Sequence, residues 1–185
     1  YQIDEAYLLL GKSRYYDKRF VPALDAFNYI LYKYPNSSRI DEAKIWREKT
    51  NMRLGNDALV INNITKMLKE TKPKKQLSAD ANALLASAYL NLEEKDSAIV
   101  SLKKAVYFSK RNNEKARYRF VLGQLYQEMG QNDQARDYYK AVIKMNRKSD
   151  RKYMMQSQVR LAQLFDYQND DKFAFDDKFH KLLEI

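Results

Sequence analysis

No cysteine occurs among the 185 residues. Disulfides, thiolate metal sites and a thiol nucleophile are therefore excluded, while the compartment stays open. Glycine and proline are scarce too, at four and three, below average usage. A strand-rich or loop-rich fold needs more turn punctuation than that, so the composition points to helices with short connections. No run approaches the ~18 apolar residues of a membrane-spanning helix, and no secretory signal peptide is visible. The sequence opens on Tyr1 rather than Met, as a piece of a longer protein would, which places any export signal or lipid anchor outside it. The single histidine, His180, stands near the end of the sequence, so there is no histidine-pair metal motif. The glycines are isolated and form no phosphate-cradling loop. The adjacent acids Glu93-Glu94 and Asp176-Asp177 would point to different sides of a helix. No catalytic, metal-binding or cofactor-binding residue is expected, and no small-molecule substrate.

What is present is apolar and basic. Hydrophobic residues make up 45% of the chain and charged residues 31%, with a net charge of +10. The excess is uneven. Residues 1–100 carry +3, residues 101–152 carry +9 and residues 153–185 carry −2. An acidic partner is one use of such a segment, and a solvated helix face is the plainer one.

A ruler repeats along the sequence. Gly11 precedes Ala23 by 12 residues, Ala86 precedes Ala98 by 12, Gly123 precedes Ala135 by 12 and Ala162 precedes Ala174 by 12. A large residue follows the alanine by four in three units, as Phe27, Leu102 and Tyr139, one helical turn further on the same face. The small anchors lie 75, 37 and 39 residues apart, so a degraded unit is expected to centre on Glu48. The small residue lets a paired helix approach closely, and the large one is expected to plug the gap between neighbouring hairpins. Helices are predicted over 2–16, 20–34, 38–54, 57–71, 77–92, 95–110, 113–129, 133–146, 150–168 and 171–184. They pair into five hairpins, 2–35, 38–71, 77–110, 113–146 and 150–184, within one domain spanning 1–185.

These spacings resemble the tetratricopeptide repeat, whose signature runs W-x2-L-G-x2-Y, then A-x3-F, then P. Leu10-Gly11, Ala23, Phe27 and Pro35 follow it, as do Leu122-Gly123, Tyr126, Ala135 and Tyr139. The Trp position departs from it, holding Tyr7, Asn82 and Arg119, and the mean period is about 38 residues against the usual 34. The resemblance implies an all-α, right-handed superhelical solenoid that binds proteins. A narrower likeness lies in Asp4-Glu5-Ala6-Tyr7-Leu8-Leu9-Leu10-Gly11, in Phe20-Val21-Pro22-Ala23-Leu24-Asp25-Ala26-Phe27 and in Asp41-Glu42-Ala43-Lys44-Ile45-Trp46. These look like the repeat region of Bacteroidota gliding-motility and type IX secretion outer-membrane lipoproteins. That likeness implies a periplasmic location and an accessory role in secretion and movement of surface adhesins, with membrane attachment only through an anchor outside this sequence. A cytoplasmic location is the alternative.

In tetratricopeptide arrays the first helix of each hairpin lines the binding groove. Carrying the family's groove positions onto this sequence gives Glu5, Lys12, Tyr15 and Tyr16 in the first unit and Lys49 and Arg53 in the second. It gives Ser87 and Asn91 in the third, Arg117, Phe120, Gln124 and Gln127 in the fourth, and Gln163 and Tyr167 in the fifth. Mixed aromatics and amides suit an extended peptide or a partner helix. Tyr15, Tyr16 and Phe120 can equally be packing residues, and Trp46 reads as core. Two other functions compete. A nucleic acid could use the basic segment 101–152 with stacking tyrosines, although the basic residues spread over several helix faces. The array could also be an architectural spacer or self-association module.

Overall fold

A computed structural model describes residues 3–145 and 148–164. Nine helices are found among the described residues: α1 (Ile3–Tyr16), α2 (Phe20–Lys33), α3 (Ile40–Arg53), α4 (Asp57–Glu70), α5 (Lys75–Asn91), α6 (Lys95–Phe108), α7 (Asn112–Glu128), α8 (Asn132–Ile143) and α9 (Arg151–Gln163). No strand occurs among them. The fold is an all-α helical repeat, and the helices follow the predicted ranges to within five residues at either end. The expected helix over 171–184 lies outside the described residues. Packing divides the chain into two units, Tyr1–Lys110 and Arg111–Ile185.

The hairpin turns share one construction. Lys18, Gly55, Glu93 and Gly130 have φ of 60°, 81°, 62° and 72°. Each stands seven residues after its anchor, Gly11, Glu48, Ala86 or Gly123. At each turn the residue with positive φ donates its N–H three residues back, and the next residue donates five back. The four longer bonds are Arg19 to Arg14, Asn56 to Asn51, Glu94 to Tyr89 and Gln131 to Tyr126, at 2.8–3.0 Å. This is the Schellman closure, in which a left-handed residue ends a helix and satisfies its last carbonyls. Its recurrence at Gly55 puts the second hairpin on the common ruler, with Glu48 in the anchor position.

In the first unit, α1 and α2 enclose Leu8, Ala23, Phe27 and Ile30 and pack on Ala43 of α3. Next, Ile45 of α3 and Val60, Ile64 and Met67 of α4 meet Ala81, Leu84, Leu85 and Ala88 of α5. The spacing of Val60, Ile64 and Met67 is what places all three on one helical stripe. The anchors act as notches. A Cβ on Gly11 would overlap the Phe27 ring, and one on Gly123 would sit 2.5 Å from the Tyr139 ring. The large residue therefore fills the notch of its own hairpin, where the sequence reading had it plugging the gap between hairpins. Phe27 does both, since it also stacks on Trp46 of α3 at 6.4 Å.

The second hairpin solves the same position differently. Glu48 is almost fully buried. Arg47 closes on its Oε1 through Nε and Nη2, both at 2.6 Å. Asn51 donates to Oε2 at 2.9 Å, and Asn63 of α4 donates to Oε1 at 3.1 Å. A buried carboxylate is tolerable only when its oxygens are satisfied in this way.

In the second unit, α7 and α8 form a hairpin and α9 packs on both. Tyr118, Phe120, Leu122, Leu125, Tyr139 and Val142 are buried there. Among the described residues no helix is long and apolar enough to cross a membrane.

Candidate protein-binding face

The first helices of the first unit carry a ladder of polar and aromatic contacts. It begins at the N-terminal end of α1, where Ser37 donates its hydroxyl hydrogen bond to Asp4. That bond holds the Asp4 carboxyl below the ordinary aspartate range, with the Arg39 guanidinium a smaller contribution. Arg39 also pairs with Glu5 at 2.8 Å and approaches Glu42 at 3.8 Å. Two helical turns along α1, Lys12 pairs with Glu42 at 2.7 Å. These links join α1 to the start of α3 without closing its surface.

Trp46 is the centre of the face. Its half-buried indole receives the edges of Tyr15 at 5.5 Å and Tyr16 at 5.8 Å. The ammonium groups of Lys12 and Lys49 lie 5.3 and 4.4 Å from its ring centre. Such cation–π contacts are worth about 0.5–1 kcal/mol each at exposed sites. Tyr15 also meets Phe20 edge-on and packs on the core, so it supports the cluster from below. Tyr16 is 71% exposed. A tyrosine ring held at one edge and open elsewhere supplies contact area at small entropic cost. Arg53 is exposed at the C-terminal end of α3.

Sequence reasoning assigned Trp46 to the core, and the structure packs it partly against the core while leaving it half-buried. The signal was available, because Glu42, Trp46, Lys49 and Arg53 recur at the i, i+4, i+7, i+11 spacing of one helical face. On α5 the expected residues are committed locally. Asn91 donates to Asp57 at 2.9 Å, and Ser87 bonds back to the Ala83 carbonyl at 3.0 Å.

The second unit places its candidates less uniformly. Phe120 is buried between Tyr139 and Tyr153, at 5.8 and 6.0 Å. Its repeat equivalents Leu8 and Ile45 are buried as well, while Ala83 is half-buried and Val159 is exposed, so this position faces the core in the first, second and fourth hairpins. Gln127 accepts a 2.9 Å hydrogen bond from the buried Tyr139 hydroxyl, whose ionisation burial pushes upward. Gln124 is half-buried, while Arg117 and Gln163 are exposed. Arg117 lies over the Tyr118 ring at 5.1 Å. Tyr167 falls outside the described residues.

The geometry has counterparts among known proteins. The chain is similar in structure to MamA, at 24% identity and TM-score 0.69, over 99% of this chain and 91% of that one. A thermophilic tetratricopeptide protein of Thermus thermophilus aligns at 21% identity and TM-score 0.61, over 98% and 90%. A tetratricopeptide protein of Parabacteroides merdae aligns at 16% and 0.69, over 100% and 67%. At these identities the likeness concerns the fold. Comparison with curated proteins finds no match. Sequence models of the tetratricopeptide repeat match residues 5–37, 79–112 and 116–149, together more than half of the chain. With four matching turns and two matching anchor notches, these alignments show that the chain belongs to the tetratricopeptide-repeat family.

Proposed function

We propose that this protein is a non-catalytic scaffold that holds a peptide or partner segment on the face built by α1 and α3. We further propose that it serves a periplasmic secretion or gliding-motility assembly at the inner side of the outer membrane. The observation that carries the binding reading is the Trp46 cluster. It combines an exposed tyrosine, a half-buried indole and two ammonium groups over its ring on two helices of the array. Hot spots are enriched in Trp, Tyr and Arg set in such surroundings, and repeat arrays generally use extended surfaces of this kind. The secretion role rests on the likeness of residues 4–27 and 41–46 to the lipoprotein repeats named above.

The test is affinity capture from separated envelope and cytosolic fractions of the source organism, with wild-type and Tyr16→Ala proteins as bait. Capture of envelope secretion components that Tyr16→Ala lowers supports both parts. Capture of only cytosolic proteins sinks the location while keeping the face. Equal capture by both baits sinks the face.

A further inference from the structure

The outward side of α1 is apolar and bare. Ile3, Leu9 and Leu10 are 45%, 61% and 39% exposed, and Ala6 and Ser13 between them are exposed as well. Their spacing puts all five on one side of the helix, away from the buried Leu8 and Gly11. The repeat supplies a direct comparison. Adding 75 carries these five onto Ser78, Ala81, Leu84, Leu85 and Ala88 of α5. There the exposures are 7%, 0%, 4%, 6% and 0%, because α3 and α4 lie on that side and supply Ile45, Val60, Ile64 and Met67. Adding 37 carries the five onto Ile40, Ala43, Trp46, Arg47 and Thr50 of α3, where Ala43 and Thr50 are fully buried against the first hairpin while Trp46 and Arg47 are half-buried.

We infer that the bare side of α1 is the seat of a further helical hairpin of the same repeat type, stacked in series ahead of α1. It would pack through both helices, as α3 and α4 pack on α5. Three arguments select this occupant. A preceding hairpin covers all five of these repeat positions on α5 and the Ala43 and Thr50 positions on α3. A repeat that ends an array carries a polar outer face, and α1 presents leucine and isoleucine. One helix side is also small against the ~800 Å² per partner of a stable free association, which favours an occupant held in place by its chain over a second copy.

The experiment joins a duplicate of residues 38–75 directly to Tyr1, which reproduces the spacing from Lys75 to Ser78. Thermal unfolding is then followed with and without Ala6→Lys. The added hairpin is expected to raise the melting temperature by about 4 °C or more. Ala6→Lys should cancel that gain, since Ala81 at the same position has no room for a longer chain, yet leave the unextended protein unchanged. A duplicate that adds nothing to the melting temperature overturns the inference. A loss of stability from Ala6→Lys in the unextended protein does so as well, because the face would already be covered. Sedimentation showing a dimer that Ala6→Lys dissociates assigns the face to a second copy and overturns it too.

Discussion

Residue size at two positions is what lets each hairpin close. The anchor and the residue 16 further on form matched pairs: Gly11 with Phe27, Ala86 with Leu102 and Gly123 with Tyr139. Glycine accompanies a ring and alanine accompanies leucine. All three large members are buried, each worth about 1.5–3 kcal/mol relative to exposure. Gly123→Ala gains about 1 kcal/mol of helix propensity, but its Cβ meets the Tyr139 ring at 2.5 Å. Overpacking of that kind costs about 1–3 kcal/mol, so a net loss is expected in urea denaturation. Tyr139→Leu alone should also destabilise, because it leaves a cavity and removes the bond to Gln127. The double variant copies the Ala86–Leu102 pair, and its loss should be smaller than the sum of the two single losses. Strict additivity would show that the notch does not couple them. The buried Glu48 is the exception to the size rule. Glu48→Ala leaves Arg47, Asn51 and Asn63 without their acceptor and should cost about 1–3 kcal/mol, as unpairing buried polar groups does. With Arg47→Ala the loss should fall below the sum.

Within each hairpin the informative object is the end of its first helix. All four described turns use one left-handed residue seven after the anchor, yet only two of those residues are glycine. Lys18 and Glu93 hold φ of 60° and 62°, where a side chain costs roughly 1–2 kcal/mol. Lys18→Gly and Glu93→Gly should therefore each stabilise the protein by about 0.5–1 kcal/mol, after the larger backbone entropy of glycine in the unfolded chain is subtracted. Unchanged or lowered melting would mean that the lysine and glutamate side chains make compensating contacts. The turns also explain why helix positions were legible from sequence. The 12-residue ruler fixes hairpin length, and Gly55-Asn56 and Gly130-Gln131 mark reversals that any reader of turn chemistry finds. The second hairpin was hardest to place, since Glu48 replaces a small residue by a satisfied ion pair whose partners are scattered at 47, 51 and 63. The candidate face was half legible for a related reason. Periodicity identifies the helix side on which Lys12, Tyr16 and Lys49 lie, but it cannot say how far Phe120 sinks between Tyr139 and Tyr153. Nor can it say that Trp46 stays half-buried under Lys12 and Lys49.

At the scale of the molecule, the net charge of +10 and the Trp46 face make opposite demands on salt. A charged chain of this kind attracts any polyanion, and attraction built from several phosphate contacts falls by about 10³ or more in affinity between 50 and 200 mM salt. Contacts made by the Tyr16 ring are mainly apolar and change little over that range, because screening acts on exposed charges. Tyr16 is 71% exposed, so Tyr16→Ala should leave stability within about 0.5 kcal/mol, as surface substitutions usually do. Loss of a hot-spot aromatic costs about 2 kcal/mol, so the same change should lower affinity for a true partner by roughly 30-fold at either salt concentration. The measurement is a pair of titrations, one with a captured protein partner and one with single-stranded nucleic acid, each at both concentrations and with both proteins. The protein partner should respond to Tyr16→Ala and scarcely to salt, and the nucleic acid should respond to salt and not to the substitution. A nucleic acid that stays bound at 200 mM and releases with Tyr16→Ala would make the Trp46 cluster a base-stacking platform.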